Sequence, residues 1–171
     1  ELMEAGISSF KIEGRMKSAY YAAVTANAYR MAMDAYAADP EHYRFDPRWL
    51  WELESVSHRE YCPGYFLEKA TDNAQLVTKP GYIREKGYLA VVESYDAESG
   101  RATFIQRNKA ICGEIAELLT PGRCGLPFTL ADMQNDLGEP IESAPHPFMK
   151  FSVKMPFAVK PGDILRGGGQ L

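Results

Sequence analysis

The sequence predicts an α+β chain, a helical N-terminal segment opened by one short strand and followed by a small closed β-barrel. Three observations carry that prediction. Residues 18–38 keep apolar side chains three and four positions apart, the spacing of a single helix face. From about residue 80 the spacing changes to two, with turn signals every ten or so residues and no further long helix. The 171 residues, 46% apolar and 25% charged, are ordinary for a globular protein with a real core plus an appendage.

The elements follow in order. "ISSFKIE", residues 7–13, alternates: Phe10 and Ile12 are apolar, while Ser9, Lys11 and Glu13 fall between and beside them, with Arg15 continuing the polar set. Ser18 is the expected N-cap of a helix reaching about Ala38, with Tyr20, Val24, Ala28, Met31 and Ala35 as its apolar stripe. Pro40 ends it. Asp46 followed by Pro47 is a cap and first turn, opening a shorter helix with Trp49, Leu53 and Val56 on one side. "HREYCPGYF" reads as an irregular aromatic segment. "GYLAVVESY", the turn "DAESG" and "RATFIQR" form an expected hairpin. "GEIAELL" is a further strand ending at "TPGRCG". "FMKFSVKM" alternates most cleanly, Met149, Phe151, Val153 and Met155 inward and Lys150, Ser152 and Lys154 outward. "VKPGDILR" supplies a turn and the closing strand, and glycines 167–169 a loose tail. The expected division is residues 1–79, the front segment and a helical linker, and residues 80–171, the β-domain.

The formal charge is −4, and neither part is basic: residues 1–79 hold 9 Lys+Arg against 12 Asp+Glu, residues 80–171 hold 10 against 11. That argues against a dedicated nucleic-acid-binding module. No apolar run approaches the ~20 residues a membrane-spanning helix needs, so no membrane partner is expected. Cys62, Cys112 and Cys124 are an odd set without a Cys-x-x-Cys pair, which argues against a disulfide framework and for a reducing cytoplasm. The chain does not begin with Met and is expected to be a piece of a longer protein.

Chemistry is best written in the opening strand. A strand lining a parallel barrel aims its inward side chains at the active site near its C-terminal end. Lys11, Glu13 and Arg15 would form such a set, just before a helix start. Charges facing a barrel interior are costly unless they pair or bind something; the competing reading is a solvated edge strand. His58 and Arg59, after the second helix, either bind an anionic group or cap that helix's C-terminus. His42 and His146 lack partners at metal-ligand spacing, so no metal site is expected, and three thiols are too few for an iron–sulfur cluster. Cys112 reads as buried, and Lys150, Lys154, Lys160 and Arg166 as a solvated face of the β-domain.

Taken together, "ELMEAGISSFKIEGRMKSAYY", "SHREYCPGYF", "QRNKAICGEIAELLTPG" and "VKPGDILR" resemble the C-terminal part of the U32 peptidases, the collagenase-like proteases, over essentially the whole chain. Cys62-Pro63 departs from the two threonines the family more often shows. The resemblance implies that residues 7–38 are the last βα unit of a TIM-like barrel whose other strands lie upstream. It also implies that the rear domain is similar to the β-barrel of translation factors, serving as an accessory substrate- or partner-binding domain. It implies a peptidase or, alternatively, a base hydroxylase acting on tRNA or ribosomal RNA. Members of the latter kind hold an iron–sulfur cluster through four barrel cysteines, which would precede Glu1. Under either reading Lys11 and Arg15 would hold an anionic substrate group, and Glu13 would orient it or accept a proton. RNA or protein is the expected partner, this piece alone is expected to be inactive, and residues 7–13 are expected to be disordered, refolded or paired with another copy of the chain.

Overall fold

The computed structural model describes residues 1–59, 61–66, 69 and 86–167. The expected boundary at residues 79 and 80 and most of the glycine tail lie outside them.

The front segment carries two helices, α1 (Ala19–Ala38) and α2 (Pro47–Glu54). Ser18 caps α1, its hydroxyl accepting from the Tyr21 amide at 3.3 Å, and Asp46 caps α2, its carboxylate accepting from the Arg48 amide at 2.9 Å. Tyr20, Val24 and Ala28 are buried as the stripe requires, whereas Met31 and Ala35, further along, are half-buried.

Among the described residues the rear domain holds nine strands: β1 (Tyr88–Asp96), β2 (Arg101–Gln106), β3 (Ala110–Ile111), β4 (Ile115–Leu119), β5 (Leu126–Thr129), β6 (Gln134–Asn135), β7 (Ser143–Ala144), β8 (Lys150–Lys154) and β9 (Ile164–Gly167). Seven make one antiparallel sheet in the order β5-β4-β9-β1-β2-β8-β6, and β3 pairs with β7. The β1–β2 hairpin forms as expected, and β8 buries Phe151 and Val153 while Lys150 and Lys154 point out. The sheet curls around one apolar cluster that includes Val92, Phe104, Leu118, Phe128, Met133, Phe151 and Leu165, drawn from both edges as well as the middle. Phe104 lies directly across from Phe151 and stacks on it at 5.4 Å. β5 and β6 are the sheet's two edges; the ladder that would close it into a full barrel is not among the described pairings.

Two expectations are corrected. Residues 7–13 are not a strand. After a turn in which the amides of Ala5 and Ile7 donate to the carbonyls of Glu1 and Leu2, the backbone runs irregularly to Gly14. Alternation specifies a strand only where a neighbour completes the ladder, and among the described residues none does. Cys112 is exposed, not buried. It lies in the tight connection between β3 and β4, where Gly113 takes a positive φ of 89°.

A buried charged junction and the cleft above it

The front segment packs on β4, β9 and the start of β1, and period two explains what it meets there. In β9, Leu165 points into the sheet's core cluster, while Ile164 points the other way, into a second cluster with Tyr20, Val24, Val56 and Leu119. Arg166 follows Leu165 and shares the outward face with Ile164. In β4, Leu118 faces the core, and Leu119 and Glu117 fall outward toward the helices. Glu52 of α2 is buried on the side turned to the sheet, and Val56, expected on that helix, lies just past its end at Glu54 and is buried too.

Arg166 is therefore not part of a solvated basic face; it is 1% exposed. Its Nη1 and Nη2 donate to Oε2 and Oε1 of Glu52 at 2.6 and 2.8 Å, a fork-to-fork pair. Nε donates to Glu117 at 2.8 Å and Nη1 to the Ser55 hydroxyl at 3.0 Å. Lys86 Nζ donates to the other Glu117 oxygen at 2.5 Å, and the Gly125 amide donates to Glu52 at 2.9 Å. Burial pushes the Glu117 carboxyl up, but Lys86 and Arg166 outweigh it, and the group titrates below the usual carboxylate range. Burial likewise opposes the Arg166 charge, and the Glu52 carboxylate overrides it, holding the guanidinium above even its ordinary high value. Two carboxylates and two cations thus neutralise one another across the seam between helices and sheet. Asn27 of α1 reinforces the seam by bonding both ways to the β4–β5 turn, with the Arg123 carbonyl at 2.8 Å and the Gly122 amide at 2.7 Å.

Above the junction lies a cleft of about 420 Å³ between the front segment and the sheet, lined among others by Met16, Lys17, Tyr21, Lys86, Tyr88 and Asn108. Tyr20 stacks on Tyr88 at 5.6 Å along its side. Burial raises the Tyr20 phenol above its ordinary value, so it stays a neutral hydroxyl. Lys17 Nζ donates to the Ser57 carbonyl at 2.8 Å and lies over the Tyr21 ring. The Lys86 ammonium at the cleft is thus engaged by Glu117, Lys17 also donates to the Ser57 carbonyl, and the two phenols stack on each other.

The residues singled out in the sequence fall nearby and are not gathered into one pocket. Lys11, Glu13 and Arg15 are all exposed. The Glu13 carboxylate folds back to accept from the Arg15 amide at 3.0 Å, and its carbonyl accepts from the Tyr21 hydroxyl at 3.3 Å, tying this stretch to α1 beside the cleft. Gly14 permits that approach, since a Cβ there would sit 2.9 Å from the Tyr21 ring. His58 is 8% exposed and stacks on Tyr61 at 4.7 Å. Its Nδ1 donates to the Val56 carbonyl at 2.8 Å, just past α2; the α2 carbonyl of Leu53 takes its bond from Tyr61 instead. Arg59 is exposed beside it. The resemblance raised an iron–sulfur cluster, which the cysteines of this chain do not fit. Cys62 and Cys112 are exposed, Cys124 is half-buried, and no group of three or more His, Cys, Asp or Glu among the described residues could hold a metal.

The comparisons with known proteins match both sides of this seam. The family model "Peptidase family U32" matches residues 1–76 and "Peptidase family U32 C-terminal domain" residues 84–166. "tRNA hydroxylation protein P1" of Bacillus subtilis is 29% identical over 168 residues, 98% of this chain and 40% of its own length. "tRNA hydroxylation protein P" of Escherichia coli is 34% identical over 144 residues, 84% of this chain and 31% of its own. A "Collagenase" of Porphyromonas gingivalis is 29% identical over 104 residues, 61% of this chain and 29% of its own. The chain thus spans well under half the length of these relatives. It belongs to peptidase family U32.

Proposed function

We propose that this chain is the C-terminal part of a U32 enzyme of the tRNA-hydroxylation kind rather than of the collagenase kind. The observation that carries this reading is the extent of the similarity. The match to the Bacillus subtilis tRNA hydroxylation protein covers 98% of the chain, so it includes the front segment, the buried junction and the sheet alike, whereas the collagenase match covers 61%.

In this reading the exposed apolar side chains of Ile7, Ile12 and Met16 pack against the rest of the longer protein. Residues 7–13 join its barrel, and Lys11, Glu13 and Arg15 then face its interior. Lys11 and Arg15 bind an anionic group of the substrate and Glu13 orients it. The sheet domain closes into a barrel and positions the RNA, the buried junction fixing its angle to the front segment. A cluster, if the reaction uses one, takes its thiolates from outside this chain. The chain alone is inactive.

Disrupting the gene for the longer protein and analysing digested bulk tRNA by mass spectrometry tests this. The reading expects hydroxylated uridines to disappear and to return on complementation. Unchanged nucleosides, together with loss of gelatin cleavage, would favour the collagenase kind.

A further inference from the structure

Phe148 stands out on the sheet domain. It is 67% exposed, and its φ of 62° lies in the left-handed region, an outlier for a bulky residue. The ring is held out rather than turned in. Prolines 145 and 147 stiffen the connection before it, and the Phe148 amide donates to the Gln106 carbonyl at 3.1 Å, fixing it against the end of β2. Directly after Gln106, the Arg107 guanidinium lies over the Phe148 ring at 4.8 Å.

The surrounding charge is unusual for this acidic protein. Residues 102–113 and 143–162 contain no Asp or Glu. Beside the patch Lys150 pairs with Glu93, and elsewhere on the domain Arg101 pairs with Asp132 and Lys86 with Glu117. Among the described residues no carboxylate pairs with Arg107 or Lys109, both exposed, and His146 is exposed on the facing connection. Asn108, between the two cations, donates to the Tyr88 carbonyl at 2.6 Å and lines the cleft that holds Lys17 and Lys86. The patch therefore leads into the cleft.

We infer that Phe148 and Arg107 form a stacking platform for a base of single-stranded RNA, with Lys109 and His146 beside it meeting the phosphates and the strand leading on to the cleft. An exposed ring braced by a cation, with Lys109 and His146 exposed beside it, matches the aromatic-and-basic chemistry by which proteins hold single strands. The inference rests on the tRNA reading for its choice of RNA.

The test is fluorescence anisotropy of the 171-residue chain with a labelled single-stranded RNA of about 12 nucleotides, within the site size of such surfaces. Phe148→Asn removes the ring yet suits the positive φ, so its folding is not at risk. It is expected to weaken binding roughly 5- to 150-fold, the range measured for losing one stacked base. Arg107→Ala is expected to lower the salt slope by about 1. Leu137→Ser, removing another exposed apolar side chain of the domain (77% exposed), leaves affinity unchanged. Three results each overturn the platform: no binding near 100 µM, roughly the weak end of non-specific association; equal losses in Phe148→Asn and Leu137→Ser; or displacement of the RNA by oligoglutamate as readily as by unlabelled RNA. The tRNA reading is judged separately, by the nucleosides of the disrupted strain. Normal tRNA there with a Phe148-dependent RNA affinity here would sink that reading and keep the platform; the reverse pair would do the opposite.

Discussion

Replacing Arg166 by Met leaves two carboxylates facing each other without their shared cation. The Glu52 side chain is 7% exposed and that of Glu117 16%, so neither regains full hydration. Removing one partner of a buried ion pair costs about 3–5 kcal/mol. For a chain of this size each kcal/mol lowers the melting temperature by about 2–4 °C, so Arg166→Met is expected to melt about 6–20 °C below the parent. Both tryptophans, Trp49 and Trp51, lie in α2. Their fluorescence follows the helices while circular dichroism follows the sheet, and in the parent the two melts should coincide. Arg48→Ala, which breaks a pair whose arginine is 65% exposed and screened by water, should cost far less than Arg166→Met. Combining Arg166→Met with Glu52→Gln should recover much of the loss, because Glu117 then keeps Lys86 as its partner and Glu52 no longer carries a charge. An Arg166→Met loss no larger than that of Arg48→Ala would refute the reasoning.

Gly125→Ala should also destabilise, by about 1–3 kcal/mol as overpacking does, because its new methyl would be driven against the Arg166 guanidinium and the Glu117 carboxylate; urea unfolding measures it. The junction should likewise set a pH dependence. The folded Glu117 carboxyl lies below its usual 4.5, so its stabilisation is complete above that value and is lost as pH falls through it and on through the lower folded value. The urea midpoint should drop below pH 4.5, less steeply in Glu117→Gln.

Helix caps and strand alternation were legible because their physics is local. Ser18, Asp46-Pro47 and the inward set of β8 each specify their element with neighbours a few residues away. β3, β6 and β7, two residues each, are too short to show a period. The junction was illegible for a different reason. Arg166 alternates with Leu165 as any outward strand residue does, and only the helices packed over that face turn a solvent position into an interior one. Glu52 carried no such signal, since Val56, four residues on, lies past the end of α2. Residues 7–13 alternate well and still form no strand, since a ladder needs a partner that the pattern itself cannot supply.

Native-state hydrogen exchange tests most directly whether helices and sheet are one cooperative body locked at Arg166. The amides of α2 and of β9 should exchange with the same opening free energy and the same denaturant dependence, that of global unfolding. Exchange of α2 through a low-energy opening while β9 stays protected would contradict it.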